Sequence, residues 1–592
     1  MIYLGGIIIN STIDNGELIM IPLKKEIILP LLYITLIIIP IAIIPVYEMI
    51  SVTKSNNLSF DKIVTLSDFS YIEGGDGFDE TVFDWINLRE FYDKLPFGLR
   101  TANYFSEKKE KMGAYGLDIT ETILCIIDDG LHNQVWRYIE EYIGKEAAAT
   151  IDYWFVEITR NSASNNYSLS YCHYWYNMYG KGVPPYNEAR HNGAHVHESS
   201  IVYLIKSLVP RIPLLVIGLD QIIWDSTIPV EEKDDILSKV LIEIIDGDQT
   251  LSYREDIHKK PHVISISFEL SNPSAYDDTI KALEEVVEKG IKVFAAAGNY
   301  GENKIVFPAN LPYVYAINSV YDFDHPSNYL AGQKTDFSNY GKGLFGTAPG
   351  YNIETVVYKE DPSSLESGVI KVLVSGTSYS APLAALTYAI LREAYLKMSK
   401  CLSIEGIDFL DIADEILRAS MENYPNNDLV PVPTINSDPS ESYDIYNGYG
   451  CVDIYDAVNF LGYLSKYPLD SISGTYPGFT SVKINLRIKV ILSIISEITS
   501  AIRKTGYKLF YRVYRTANGV TKVVEQGYLS LTDSGSYWDI WKLSIEIYGL
   551  PGEHYSIVIN WYVENDALWN ICFSDPIVFH LNFEGNGGIT PF

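Results

Sequence analysis

Short apolar runs separated by amphipathic stretches constrain this chain more than any other feature. The runs ILCIID (123–128), HVISISF (262–268), KVFAAAGN (292–299) and YVYAINSV (313–320) are apolar at nearly every position, as in strands buried on both faces of a parallel sheet. Helical stretches lie between them, such as DDTIKALEEVVEKG at 277–290, whose apolar residues recur with a helical period. The alternation predicts an α/β fold, a mostly parallel sheet with helices on both faces. In such sheets ligands meet the carboxyl ends of the strands, so the residues that follow each run become candidates. Asp128 follows the first run, and Asn299 follows the third.

Composition narrows the function classes. The net charge of −30, with no clustered Lys or Arg, excludes a nucleic-acid phosphate surface. Five scattered cysteines give neither a disulfide framework nor a CxxC metal pair, and Cys125, inside the first run, reads as a buried free thiol. Residues 27–46 form an uncharged apolar stretch preceded by Lys24 and Lys25 and followed by Glu48. Its 20 residues are enough to cross a bilayer, and the flanking charges place the bulk of the chain outside. The expectation is a transmembrane anchor or uncleaved signal segment at 26–47, behind a short tail at 1–25. A cleaved signal peptide is the rival reading.

Chemistry enters with SGTSYSAP at 375–382, directly ahead of the apolar run LAALTYAIL. Such a cluster can be simple helix capping, which satisfies orphan N–H groups. It can also place Ser378 at a helix N-terminus as a nucleophile whose own N–H steadies an oxyanion. A base is supplied by NGAHVHESSIVYLI at 192–205, where His195 stands before an apolar helical stretch. His191, His195 and His197 with Glu198 also make an HxxxHxH cluster, but a zinc reading would leave Ser378 and Asn299 without a role.

These residues, in this order, resemble the subtilisin-like serine proteases, or subtilases, over roughly residues 110 to 465. IIDDG (126–130) resembles the Asp motif, NGAHVHE (192–198) the His motif, AAAGN (295–299) the oxyanion Asn motif and SGTSYSAP the Ser motif. FPANLPYVYAINSV (307–320), DFSNYGKGLFGTAPG (336–350) and YNGYGCVDIYDAV (446–458) are weaker echoes in the same order. The resemblance implies an Asp128, His195, Ser378 triad, with an oxyanion hole from the Asn299 amide and the Ser378 N–H. It implies substrate contacts from Ser267, Phe268, Glu269, Ala297 and Gly298, and polypeptide substrates. No metal is required for the chemistry, although many subtilases hold structural calcium.

The sequence departs from the family pattern in places. Asp129 stands where Ser or Thr is customary and is expected to face solvent. Glu269 and Leu270 replace glycines of the substrate-pairing strand, and Glu269 is expected to favour a basic substrate side chain. Asp128 and His195 are 67 positions apart, the excess being a Tyr-rich stretch at 167–188 that reads as a cleft-rim loop or a packed insertion.

The expected organisation is an N-terminal extension or reduced prodomain at 48–105, a peptidase domain at 106–466, a linker at 467–478 and a β-sandwich at 479–592. The last is read from the alternation Val482, Ile484, Leu486, Ile488, Val490 and the hairpin turn Asn518-Gly519. Two functions stay open: a membrane-anchored or secreted endopeptidase acting on extracellular or surface proteins, and a catalytically silent subtilase fold used in surface binding or adhesion. The role of the C-terminal domain stays open between substrate binding, attachment to a cell-surface partner and stabilisation of the peptidase.

Overall fold

A computed structural model describes residues 13–14, 17–18, 68–71, 119–160, 167–175, 197–219, 228–246, 260–321, 332–359, 368–402, 407–421, 443–462, 465–468, 473–478, 481–517, 520–549, 553–562 and 577–582. The chain divides into two units. In the first, Met1–Lys62, the described residues are the two-residue strands β1 (Ile13–Asp14) and β2 (Glu17–Leu18), paired antiparallel. The second, Ile63–Phe592, holds everything that follows.

The heart of the second unit is an eight-stranded sheet. In chain order its strands are β4 (Leu124–Asp128), β5 (Ile151–Arg160), β6 (Tyr167–Trp175), β7 (Leu214–Gly218), β8 (Val263–Ile266), β9 (Lys292–Ala296), β10 (Tyr315–Val320) and β11 (Leu344–Pro349). Their spatial order is β11-β10-β9-β8-β4-β7-β5-β6. All neighbours pair in parallel except β5 and β6, an antiparallel pair at one edge. The first part of the Tyr-rich stretch is therefore this edge strand rather than a loop. Residues 176–188 of the stretch lie outside the described residues.

The helices in order are α1 (Asn133–Tyr138), α2 (Lys145–Ala149), α3 (His197–Leu208), α4 (Val230–Asp246), α5 (Asp277–Glu288), α6 (Thr377–Leu402), α7 (Phe409–Ser420) and α8 (Ile454–Leu461). The period of two along each strand divides the core between the sheet's faces. Leu124, Ile126, Leu214, Val216, Phe294 and Ala296 pack with α3 and α6, whereas Cys125, Ile127, Leu215, Ile217, Val293 and Ala295 pack with α4 and α5. Helix α3 is buried on every side, down to Lys206. The Lys206 ammonium donates to Thr150 Oγ1 at 2.6 Å and to the Ile212 carbonyl at 2.5 Å, while its burial pushes its pKa well below the ordinary lysine range. Cys125 is a buried free thiol, as expected.

A three-stranded antiparallel sheet stands apart: β12 (Ile353–Lys359), β13 (Gly368–Ser375) and β3 (Asp68–Tyr71), with β13 central. Strand β13 runs directly into α6, so the Ser375–Ser378 stretch bridges strand and helix.

Beyond α8 lie two antiparallel sheets. One contains β14 (Ser465–Pro468), β15 (Ser473–Gly478), β16 (Ser481–Ile491), β19 (Ser530–Ser534) and β20 (Trp538–Tyr548). The other is β18-β17-β21-β22, from β17 (Lys508–Ala517), β18 (Val520–Tyr528), β21 (His554–Tyr562) and β22 (Ile577–Asn582), and α9 (Ser496–Lys504) lies between β16 and β17 in sequence. Their buried alternating faces, Ile484/Leu486/Ile488/Val490 and Leu509/Tyr511/Val513 among them, join one core, and the Tyr507 ring meets both Trp541 and Trp561. Strands β17 and β18 pair antiparallel with Ala517 opposite Val520, and the Asn518-Gly519 turn expected from the sequence lies outside the described residues. Within the stretch 467–478 expected as a linker, the described residues belong to β14 and β15, both of which pair with β16. The stretch's Pro and Gly residues suggested a connector, yet Pro is tolerated on edge strands. Among the described residues no helix is long and apolar enough to cross a membrane, and the apolar stretch 27–46 lies outside them.

Candidate active site

The sheet topology brings the candidate residues to one edge. Asp128 is the last residue of β4, the segment 267–270 follows β8, and Asn299 follows β9 after a turn at Gly298. Asp128 is fully buried and opposite Gly218 in register. A Cβ on Gly218 would lie 2.8 Å from Tyr153 Oη and 2.9 Å from Gly130 Cα, so only glycine fits this close approach.

The imidazole that Asp128 holds is that of His197, not His195. His197 Nδ1 lies 2.8 Å from Asp128 Oδ2, and both side chains are buried. His195 lies outside the described residues. Asp129 supports the head of α3, whose described residues start at His197. Asp129 Oδ1 accepts from Glu198 N at 2.8 Å and Oδ2 from His197 N at 3.3 Å, satisfying two orphan N–H groups at the positive end of the helix. The expectation that Asp129 faces solvent is thereby corrected: it is 1% exposed.

With Asp128 accepting from Nδ1–H, the neutral ring carries its lone pair on Nε2, the nitrogen a general base uses. Burial favours the neutral ring, but the charge and hydrogen bond of Asp128, with Asp129 behind, outweigh it and raise the His197 pKa above the ordinary histidine value. The His197 ring meets Tyr379 edge-on at 5.6 Å, beside Ser378, and Tyr379 Oη is tied to Ser200 Oγ at 2.8 Å. Ser378 is the second residue of α6, so its N–H is one of that helix's unpaired donors. His197 Nε2 and Ser378 Oγ are both buried, and among the described residues neither makes a hydrogen bond to the other or to any other group.

Asn299 Oδ1 accepts from Thr377 N at 2.9 Å and Thr377 Oγ1 at 2.7 Å, which turns its amide nitrogen the other way. Thr377 Oγ1 in turn lies 3.2 Å from Gly298 N. Ser267 Oγ donates to the Ser378 carbonyl at 2.8 Å, tying the segment after β8 to the head of α6. Of the other expected substrate-contact residues, Phe268 and Ala297 send their side chains into the core beneath the sheet, leaving only their backbones to meet a ligand. Thr377, Tyr379, Ser200 and Asp129 were missed by sequence reasoning as supporting groups.

Glu198 is a further buried acid, fully inaccessible, its carboxylate supported only by the backbone of Gly130 and Asp128 among the described residues. Its burial, then Asp128 and Asp129, push its pKa well above the ordinary carboxylate range. Among the described residues no group of three or more His, Cys, Asp or Glu is placed to hold a metal ion; His191 and His195 of the histidine cluster lie outside them.

Residues 238–405 match the sequence profile of the subtilase family, a span that contains Asn299 and Ser378 but neither Asp128 nor His197. The chain is 30% identical over 176 residues to the cell wall-associated protease of Bacillus subtilis (strain 168), covering 28% of this chain and 17% of that protein. It is 29% identical over 132 residues to subtilisin BL of Lederbergia lenta, covering 22% of this chain and 42% of that protein. The chain thus spans less than half the length of these relatives. Among solved structures, proteases from Pseudoalteromonas arctica PAMC 21717 superpose with a TM-score of 0.36 at 16% identity, over 61% of this chain and 98% of that one. The prenylagaramide maturation protease PagA superposes with a TM-score of 0.33 at 18% identity, over 57% and 93%.

Proposed function

We propose, from the premise that this chain is a subtilase-like serine protease, that it hydrolyses peptide bonds through Ser378, His197 and Asp128. Ser378 Oγ attacks the carbonyl carbon while His197 Nε2 takes its proton. The same nitrogen returns that proton to the amine that leaves as the C–N bond breaks. Asp128 keeps the other ring nitrogen protonated and steadies the imidazolium. The Asn299 amide and the Ser378 N–H hold the oxyanion, and water then repeats the sequence on the acyl-enzyme, restoring Ser378. The chemistry needs no metal.

The observation that carries this reading is the 2.8 Å bond between Asp128 and His197, on a sheet edge that also bears Asn299 and the head of α6. The reading extends to substrates that are extracellular or surface polypeptides, with the chain exported and the segment 27–46 its membrane anchor or signal. The name of one relative, a cell wall-associated protease, fits an exported protease. The two C-terminal sheets form a sandwich that meets a cell-surface partner. No observation favours the non-catalytic surface module.

The test is hydrolysis of a quenched peptide library by the full chain and by Ser378→Ala, His197→Ala and His195→Ala. The first two changes are expected to reduce kcat by at least about 10³-fold, as loss of triad members does. His195→Ala is expected to leave activity within a few-fold. Loss of activity in His195→Ala together with retention in His197→Ala would overturn the assignment.

A further inference from the structure

We propose that Glu269 is the specificity-determining residue of this site and selects lysine or arginine on the acyl side of the cleaved bond. The proposal rests on the peptidase reading above and names its substrate class.

Four observations carry it. The pairing of β8 with both neighbours ends at Ile266, so the segment that follows is free of the ladder beside the nucleophile. Along that segment Phe268 and Leu270 enter the core beneath the sheet, while Ser267 reaches the Ser378 carbonyl. By the alternation of extended chain, Glu269 shares the face of Ser267, toward the head of α6. The residue is only 9% exposed, and one carboxylate oxygen, Oε2, is buried and has no hydrogen-bond partner.

The other oxygen accepts from the hydroxyl of Tyr300, the residue immediately after Asn299. Glu269 is therefore bracketed by the two elements that would hold the scissile carbonyl: the head of α6 through Ser267, and the Asn299 loop through Tyr300. A carbonyl seated on Ser378 and Asn299 carries its side chain one bond away, toward the ground between them. A buried carboxylate there with an open lone pair disfavours apolar and acidic side chains and rewards a cation that brings N–H donors.

Among the described residues no cation pairs with Glu269. Burial raises the Glu269 pKa, opposed by the Tyr300 hydrogen bond and by Lys304, which is exposed and makes no ion pair with it. Tyr300 is 47% exposed, and its hydroxyl occupies the carboxylate where a substrate's ammonium or guanidinium would add a second donor. Glu302 is the remaining charged group that acts on Tyr300.

The experiment measures kcat/KM of the full chain on matched peptides carrying Lys, Arg, norleucine or Glu at that position, for the wild type, Glu269→Gln and Tyr300→Phe. Ser378 labelling by a neutral fluorophosphonate and melting temperatures are recorded alongside. The expected result is a wild-type preference for Lys and Arg over norleucine of at least about tenfold, falling toward unity in Glu269→Gln. A wild type that is labelled at Ser378 but shows no preference for basic residues overturns the proposal and leaves the peptidase reading intact, whether or not the variant folds. A purely structural tie would make Glu269→Gln and Tyr300→Phe melt lower alike with the ratio unmoved, which also overturns it. Wild type that is not labelled at all refutes the peptidase reading and the proposal with it.

Discussion

Replacing Asp129 separates the two jobs its carboxylate performs. It accepts two N–H groups at the start of α3, at 2.8 and 3.3 Å, and it lies against Asp128 with almost no solvent. An N-cap acceptor contributes about 0.5–2 kcal/mol, and a negative charge at the helix N-terminus about 0.3–1 kcal/mol more. Burial and the neighbouring Asp128 act the other way and raise the Asp129 pKa well above the carboxylate range, with His197 and the two backbone amides only partly offsetting them. Asp129→Ala is therefore expected to lose about 1–2 kcal/mol. At about 2–4 °C per kcal/mol for a domain of this order, the melting temperature falls by about 2–8 °C. Asp129→Asn keeps an acceptor and removes the repulsion, so it is expected to stay within about 0.5 kcal/mol of the wild type at acid pH. The sign of the pH dependence follows from the raised pKa. The benefit of the protonated carboxyl is complete below the ordinary carboxylate range and is lost as pH rises through the folded pKa, so Asp129→Asn gains on the wild type as pH increases. The assay is thermal unfolding between pH 4 and 9 in a Ser378→Ala background, which stops self-digestion. If Asp129→Ala melts with the wild type, or Asp129→Asn loses as much as Asp129→Ala at every pH, the capping role is refuted.

Three further outcomes are expected. Glu198→Gln removes a buried carboxyl whose folded pKa is raised, so it should stabilise the protein by an amount that grows with pH; a stability loss at pH 8 in chemical denaturation would contradict this. Thr377→Val removes one of the two donors that orient Asn299, so kcat should fall about tenfold with KM little changed, against about 10²–10³-fold for Asn299→Ala; equal kcat for Thr377→Val and the wild type would show that the hydroxyl does not set the amide. Because His197 must be neutral to act and its pKa is raised, the acid limb of kcat/KM should lie above pH about 6.5, and an NMR titration of Asp128→Asn should return the imidazole to a lower value; an acid limb at or below pH 6 would contradict the Asp128 contribution.

What the sequence revealed, and what it hid, divides along physical lines. Strands β4, β8, β9 and β10 were legible because burial on both faces leaves an uninterrupted apolar run, and α5 because one apolar face leaves a period. Asp128, Asn299 and Ser378 were legible because strand ends and a helix head are local features. The choice between His195 and His197 was not local: it turns on contacts with Asp128 and, 68 positions earlier than His197, Asp129. Motif matching alone set the register two residues short. Strand β6 carries a period of two in Tyr167, Ser168, Leu169, Ser170 and Tyr171, but its aromatic and polar mixture lacks the apolar run of the central strands, and it pairs only with β5 at the sheet edge. Strands β14 and β15 were hidden by Pro and Gly, which a short edge strand tolerates.

The most direct measurement is the site and histidine dependence of fluorophosphonate labelling. The full chain is reacted with the probe at pH 8, digested and mapped by mass spectrometry, beside folded His197→Ala, His195→Ala and Ser378→Ala variants. The predicted result is a single adduct on Ser378, lost in Ser378→Ala, slowed by orders of magnitude in His197→Ala and retained in His195→Ala. An adduct elsewhere, or one on Ser378 whose rate depends on His195 and not on His197, would contradict the assignment of His197 and Ser378 as base and nucleophile.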